Sequence, residues 1–433
     1  MVLNYSKDIK IKYDVDVFVG GGGPAGIAAA VSAAENGASV FLAESFGAFG
    51  GAAVHALVPA FMKFTDGETF LAGNFAKRVC KYIQNNIPED YKDHCPNSIP
   101  VETLKLCYDE MITEAGVNFA FFTQVSDVIT ENEKIKYVIC TAKGEIFAVK
   151  AKVFIDCTGD GDLAALSGAE FEKGNSSGEM MAATLCAIWN GIDWNNVKRP
   201  DSRCLDKAFK DKVFTNEDRH LPGMWQISST LGGSNAGHIY DVDGTKYDSL
   251  SKSMVLGRKQ LLEYRKYYKE YLSGYENAEL VNSASYIGIR ETRRITGDYV
   301  LNVEDFLARA TFPDEIGRYC YPVDIHSGKN TDEGYEEYKK KFYSLRYENG
   351  ESYGIPYRSL TVKGFRNLLI AGRCISTDRS MQSSVRVMPC CFITGQASGT
   401  AAALAVGFDG NIRNIDVKEL QKILTENGAV IRS

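Results

Sequence analysis

No C-x-x-C pair occurs among the eleven cysteines, so neither a zinc ribbon nor a thioredoxin-type couple is encoded. The cysteines are scattered and odd in number, and most are expected to be buried thiols. No apolar stretch reaches the roughly 20 residues of a membrane span. The polar, charged opening Met1–Tyr13 lacks the basic patch and apolar run of a signal peptide, so a reducing, cytoplasmic setting is expected. Positive charge is not in excess. Lys and Arg total 49 against 55 Asp and Glu, a formal charge of -6, which provides no general attraction to nucleic acid or to an anionic membrane. Histidine is scarce, at five, and no internal repeat or low-complexity linker is visible. The remaining composition, 45% hydrophobic and 24% charged, excludes a disordered or fibrous chain. At 433 residues the chain exceeds one domain of roughly 100–200 residues, so two domains or one large discontinuous domain are expected.

The strongest motif comes early. Asp14–Val19 (DVDVFV) has the continuous apolar character of a buried parallel strand, and Gly20-Gly-Gly-Gly-Pro-Ala-Gly26 leads from it into an alanine-rich helix over Ile27–Asn36. A second strand, Ala38–Ala43, ends on Glu44. Gly21, Gly23 and Gly26 therefore form G-x-G-x-x-G inside a βαβ unit, with Pro24 and Ala25 opening the helix and an acid 18 residues past the last glycine. Gly21 makes the tight turn, Gly23 leaves room for a pyrophosphate, and Gly26 lets helix and strand pack closely. The helix N-terminus faces the phosphate charge, while Glu44 can accept both hydroxyls of an adenosine ribose. Ser45 follows, and Gly50-Gly51-Ala52 allows the backbone to approach the ligand again beyond the pyrophosphate, which fits FAD better than NAD.

Downstream, Val101–Ala115 is expected to be helical and Val117–Phe122 a strand. Val125–Thr130, Ile135–Thr141 and Ile146–Val149 form an antiparallel meander, and the strand Lys152–Asp156 runs into Cys157-Thr158-Gly159-Asp160-Gly161-Asp162. Gly159, Gly161 and Ala164 also spell G-x-G-x-x-A. Asp160 and Asp162 would set carboxylates beside a pyrophosphate, so this is rejected as a second dinucleotide site; Asp162 is a candidate helix N-cap. At the C-terminal end a strand, Asn367–Ala371, enters Gly372-Arg373, and Met388–Val406 is a second small-residue helix with Pro389 in its first turn. Amides at that helix start can stabilise charge on the N1–C2=O edge of a reduced flavin.

On the stretches GGGGPAGIAAA (20–30), ESFGAFGGAA (44–53), FIDCTGDGDLAALSGA (154–169), RETRRITGDYVLNVEDFL (290–307), YPVDIH (321–326) and 355–405, the chain resembles the bacterial FAD-dependent oxidoreductases of the fumarate-reductase-like superfamily. The resemblance implies non-covalent FAD in a glutathione-reductase-type fold. Covalent relatives carry the linking histidine before the double glycine, whereas His55 follows it. By the same resemblance Thr158-Gly159 closes the FAD domain, Val125 flanks the adenine, Gly372-Arg373 lies near the phosphates or ribitol, and the backbone of Val387, Met388 and Pro389 approaches the isoalloxazine. The expected fold is α/β. A Rossmann-like FAD-binding domain, with parallel sheet and antiparallel meander, comprises 1–60, 100–165 and 355–433. A helical excursion covers 61–99, and an α+β substrate or cap domain is inserted at 166–354. Within it, the tyrosine run of an amphipathic helix over Ser251–Leu272 is read as a solvated, snorkelling face.

Substrate chemistry must sit where the cap meets the flavin. The candidates are Arg290, His326, Arg386, Tyr357 and His55. Arg290 opens the run I-R-E-T-R-R, in which a salt-bridge cluster around Glu291 is the alternative role for Arg293 and Arg294. Cys390 and Cys391, though adjacent, are read as buried thiols. The expected activity is hydride transfer between flavin N5 and a small polar substrate, anionic ones included, with a separate electron donor or acceptor; dehydrogenation and C=C reduction both fit. An RNA-modifying flavoprotein or a flavin-bearing interaction protein is the alternative. The acidic balance argues against the first, and the Arg and His cluster against the second. No second Rossmann unit for NAD(P)H is readable, since Gly232-Gly233-Ser-Asn-Ala-Gly237 has the wrong spacing.

Overall fold

The first apolar run becomes β1, Lys10–Gly20, whose Val17, Phe18 and Val19 are wholly buried. A computed structural model describes residues 2–92, 97–198, 202–219, 223–329, 340 and 345–432. After β1 come α1 (Pro24–Glu35), β2 (Val40–Ala43), the helix Val101–Glu114, β3 (Asn118–Ala120) and the meander β4 (Thr123–Glu131), β5 (Lys134–Ala142) and β6 (Glu145–Asp156). The sheet order is β3-β2-β1-β6-β5-β4, with the strand Leu368–Ile370 also pairing with β6. β3, β2, β1, β6 and Leu368–Ile370 are parallel, while β6-β5-β4 are antiparallel. The expected α/β fold of parallel sheet and meander is therefore the one observed.

One boundary differs. Ile146–Val149 and Lys152–Asp156 are a single strand, because Lys150 and Lys152 do not interrupt the ladder. They pair at 2.8 Å with Asp14 and Asp16 of the adjacent β1, so the charges between the two expected strands form a cross-strand face. β6 thus closes the meander and also lies beside β1, which brings the Cys157-Thr158-Gly159 turn against the first glycine loop.

The alanines and glycines of α1 are explained by the helix Met388–Val406, which crosses it at backbone contact distance. A Cβ on Gly395 would stand 2.2 Å from the Ala25 carbonyl oxygen, and one on Gly399 2.1 Å from that of Ala29. Both helices are buried almost all round, as their lack of a polar face requires.

The described residues form two apolar cores. The first covers the sheet and its helices, and includes Phe61, Phe64 and Phe75, residues from Ile295 to Val323, and Tyr353 and Ile355. The second is built from Leu57 and residues between Ala183 and Ile287. Its four-stranded antiparallel sheet runs in the order Glu279–Ser283, Ala187–Asn190, Gly232–Ser234, Met224–Gln226. The later part of the expected 166–354 segment thus packs into the first core. Residues 93–96, 199–201, 220–222, 330–339 and 341–344 of the expected excursion and cap lie outside the described residues.

The tyrosine run is not a solvated face. In the helix Tyr247–Tyr271, Tyr264, Tyr267 and Tyr268 are buried against Phe214, Trp189 and Tyr275. Their i, i+3, i+4 spacing is that of the core stripe, and the lysines and arginines fall on the other side. Among the described residues no helix is long and apolar enough to cross a membrane.

Candidate active site

Two groups of residues converge near the start of the helix Met388–Val406. The first is a glycine cradle. Gly21 has φ +95, and a Cβ there would lie 2.6 Å from the Cys157 carbonyl oxygen; at Gly26 it would lie 1.8 Å from that of Gly21. These two positions are glycine because the protein's own backbone leaves no room. Gly23 is different. Its φ of -75 suits any residue, and the nearest atom to an added Cβ is the Gly51 Cα at 3.7 Å. Nothing in the chain requires glycine there, so the open space over its amide is left for a ligand, and the cradle fits a dinucleotide pyrophosphate.

The surrounding loops hold that shape. Gly50 N–H donates to the Gly22 carbonyl at 2.8 Å. The buried Glu44 carboxylate accepts the amides of Gly22 (2.7 Å) and Phe46 (2.8 Å), with the Ser45 hydroxyl at 3.3 Å. Burial raises its pKa against the pull of those amides. Gly51 and Ala52 open the short helix Gly51–Val54, facing Gly23 and Pro24. Val125 lies against Gly20 beside Thr158. The Thr158 hydroxyl and amide both donate to Asp156, a wholly buried carboxyl that burial pushes up to about 6. Gly372, at φ +82, abuts Ala25 and donates its N–H to Thr394. Val387 is the N-cap residue of the helix Met388–Val406, with Met388 and Pro389 as its first residues.

The second glycine turn is filled by protein. A Cβ on Gly161 would meet Ile295 at 2.7 Å and one on Gly159 would meet Arg373 at 3.1 Å. Arg373 pairs with Asp160 and donates to the carbonyls of Gly159 (2.9 Å) and Ile289 (2.6 Å), so its guanidinium is committed to this turn. Asp162 is the first helical residue and Gly161 the N-cap, correcting the expected capping role; the Asp162 carboxylate instead pairs with Arg293 at 2.7 Å. Arg294 binds Glu291 at 2.6 Å, and Arg379 reaches the same carboxylate at 3.0 Å. The salt-bridge role holds for both Arg293 and Arg294. The ten cysteines among the described residues form no disulfide, and all but Cys204 are buried, Cys390 and Cys391 included.

The second group brings together Arg290, His326 and Arg386 from three separate segments. Arg290 donates to the Ala182 carbonyl (2.7 Å), the Thr184 hydroxyl (2.9 Å) and the Asn235 side-chain oxygen (3.1 Å). Burial, then the neighbouring Arg386, lowers its pKa to about 10. Arg386 donates to Asp324 Oδ2 at 3.0 Å and to its carbonyl at 3.1 Å, while its buried Nε has no partner among the described residues. His326 Nε2 stands 3.5 Å from Asp324 Oδ2, and its Nδ1 is 2.7 Å from Nε2 of His238. Burial, followed by the charge of Arg290, takes His326 down to about 3. Burial would raise Asp324, but His326, Arg386 and Arg290 hold its carboxyl well below the usual range. The site thus holds an anionic Asp324, two guanidinium cations and a neutral His326 at neutral pH. Cys391 links the two groups: its thiol donates to the Arg386 carbonyl at 3.4 Å, and its sulfur lies beside Gly372.

Two sequence candidates stand apart from this cluster. Tyr357 is buried and donates to the Ile412 carbonyl at 2.9 Å. His55 stacks on Phe46 (4.1 Å between ring centres), and its Nε2 is 2.8 Å from the Ala48 carbonyl oxygen. It borders the Gly51 loop, and burial lowers its pKa. Sequence reasoning missed His238, Asp218, Asp324 and Asn235. The rarity of histidine, which singled out His326, applied equally to His238, and Asp324 lies two residues before His326.

A family model of FAD dependent oxidoreductases matches residues 16–424. The chain belongs to that family, and it is an FAD-dependent oxidoreductase. Among solved structures it is similar to a geranylgeranyl bacteriochlorophyll reductase-like protein from Thermoplasma acidophilum, with TM-score 0.51, 13% identity, and coverage of 96% of this chain and 84% of that one. The p-nitrophenol 4-monooxygenase of Pseudomonas putida gives TM-score 0.46 at 11% identity, covering 96% and 87%. A flavin-dependent brominase gives 0.44 at 14%, covering 95% and 83%. At these identities the likeness is one of fold. No curated protein matched the chain.

Proposed function

We propose that this enzyme exchanges two electrons between non-covalently bound FAD and a small polar substrate, anionic ones included, held by Arg290, His326 and Arg386, and that it belongs to the fumarate-reductase-like branch of flavoproteins. The observation that carries the reading is the convergence of these three side chains beside the start of the helix Met388–Val406, with the buried Arg386 Nε left without an acceptor among the described residues. A buried guanidinium N–H without a partner is costly unless a ligand supplies one. FAD, when bound, supplies hydride exchange at N5. The chain's part is to hold it through the Gly21–Gly26 loop, Glu44, Gly50 and Gly51, to orient the substrate by charge, and to exchange a proton through His326. Electrons pass on to a separate carrier, quinone or oxygen, because the strand pairs outside the main sheet are all antiparallel and none forms a second dinucleotide unit among the described residues.

Anaerobic screening against polyols, sugars, hydroxy acids, amino acids and enoates, followed by flavin absorbance, tests the reading. Arg290→Ala, His326→Ala and Arg386→Ala should each keep FAD while slowing its bleaching by two to three orders of magnitude, about 2–4 kcal/mol of transition-state stabilisation. Wild-type bleaching rates in two of the three variants would place the site elsewhere.

A further inference from the structure

The helix Tyr247–Tyr271 has two unlike faces. Leu261, Tyr264 and Tyr268 point inward and are buried in the second core. At about 100° per residue around the axis, Val255 and Leu262 fall on the centre line of the outward face, where they are 53% and 59% exposed. Lys252, Lys259 and Lys266 run along one side of that line, and Arg258 and Arg265 along the other, all of them exposed. Acids are few here. Asp248 lies in the first turn, Glu270 in the last, and Glu263 is held by the Thr215 hydroxyl. Glu279 of the neighbouring strand pairs with Lys269 at 2.7 Å and with Arg265 at 3.5 Å. Among the described residues no carboxylate pairs with Lys252, Arg258, Lys259 or Lys266. The lysines of the meander are different, since Lys134, Lys150 and Lys152 each have an acidic partner.

We propose that this face docks the protein on an anionic lipid surface. The helix lies in the plane of the interface, with Val255 and Leu262 at the boundary between headgroups and acyl chains and the two basic rows against lipid phosphates. The whole molecule, at a formal charge of -6, has no such attraction. Charges beyond a Debye length of about 10 Å are screened, so the contact is governed by the unpaired lysines and arginines of the face itself. A face that is merely solvated has no use for an exposed apolar line between two basic rows. Nucleic acid would engage the charges and leave Val255 and Leu262 in water. A second copy meeting this face about a two-fold axis would set like charge against like. An anionic lipid surface satisfies both the charges and the apolar line. The proposal concerns where the enzyme sits and does not depend on the substrate reading above.

The test is co-sedimentation of the FAD-loaded full chain with phosphatidylcholine vesicles, with and without phosphatidylglycerol as a minor component, at low and high salt. The parental protein should sediment with the mixed vesicles at low salt, stay in the supernatant with pure phosphatidylcholine, and be released by salt. Each lysine or arginine near an anionic surface strengthens binding about fivefold. The combined Lys252→Ala, Lys259→Ala, Lys266→Ala variant should therefore bind the mixed vesicles about 100-fold more weakly. Val255→Ser with Leu262→Ser should lose about tenfold or more. Both variants alter exposed side chains, so flavin content and thermal unfolding should match the parent. Parental protein that stays in the supernatant with mixed vesicles at low salt overturns the proposal, as does vesicle binding that neither variant weakens. Single-stranded RNA that shifts the parental protein in a gel, with no vesicle binding, would assign the face to nucleic acid and also overturn it. A dimer in light scattering that the Val255→Ser, Leu262→Ser variant abolishes, again with no vesicle binding, would assign the face to a second copy with the same consequence. Should a variant fail to hold flavin, the lipid and salt dependence of the parental protein decides.

Discussion

Gly23 separates what the fold needs from what the cofactor needs. Its dihedral angles, φ -75 and ψ -175, are open to any residue, and an added methyl would meet only the Gly51 Cα, at ordinary contact distance, 3.7 Å. The flavin-free Gly23→Ala protein should therefore be as stable as the parent to within about 1 kcal/mol, on the favourable side, because alanine restricts the unfolded chain. Gly26→Ala behaves in the opposite way. Its Cβ would lie 1.8 Å from the Gly21 carbonyl oxygen, an overlap relieved only by moving the turn, and several kcal/mol of stability should be lost. If the space over Gly23 receives the pyrophosphate, the methyl stands in its way, and FAD should bind at least about 100-fold more weakly, about 2.7 kcal/mol. Gly23→Val should purify colourless. The assay pairs thermal unfolding of the flavin-free proteins by circular dichroism with FAD titration by fluorescence quenching. A folded Gly23→Val protein that takes up FAD with parental affinity would show that the cofactor does not lie against this loop, and a flavin-free Gly23→Ala protein that fails to fold would show that the glycine serves the chain itself.

Arg373→Ala should cost about 3–5 kcal/mol in thermal or denaturant unfolding, since it leaves the buried Asp160 without its guanidinium; a loss below about 1 kcal/mol would mean the pair is not structural. NADH and NADPH should bleach the bound flavin slowly at most in anaerobic stopped-flow mixing, and reduction within milliseconds at micromolar nicotinamide would reveal a site that the antiparallel cap sheet does not suggest. His326 has a folded pKa of about 3 against 6.5 for the free side chain, so between those values the unfolded chain binds the extra proton. Its contribution is complete above pH 6.5 and is lost as pH falls through that window, with a slope of up to about 1.4 kcal/mol per pH unit. Replacing it with glutamine should flatten that part of the stability profile, and an unchanged slope would refute the buried neutral state. Tyr267→Ala should destabilise the protein by about 3–5 kcal/mol, as for other large aromatic truncations, whereas a solvated tyrosine would cost little.

The local chemistry of the cofactor cradle was legible because each part depends on its near neighbours. A strand, a glycine turn at Gly21–Gly26 and a small-residue helix are consecutive, and their periodicity and steric needs are written within about 30 residues. Gly395 and Gly399 were legible as a close-packing stripe for the same reason, although the partner α1 lies far away in sequence. Charge was harder to read. Ile146–Val149 and Lys152–Asp156 read as separate strands until Lys150 and Lys152 were seen paired with Asp14 and Asp16 along one ladder, and the partners of Arg373, Asp160 and the carbonyls of Gly159 and Ile289, come from segments that the sequence does not bring together. The tyrosine run was misread through its lysine neighbours, though its own spacing matched a core face.

The sequence by itself determined the FAD-binding architecture, since backbone room, strand burial and helix close packing depend on residue type at short spacing. It also singled out Arg290, His326 and Arg386 by type and scarcity. Only the tertiary structure decided which charges remain available to a ligand. A guanidinium or carboxylate acts through whatever lies within a few ångströms, and for Arg290, Asp218, His238 and Asp324 those neighbours come from segments tens to more than a hundred residues apart. Pairing across such distances follows from how the two cores meet, so the protons and charges of the site are a property of the folded chain.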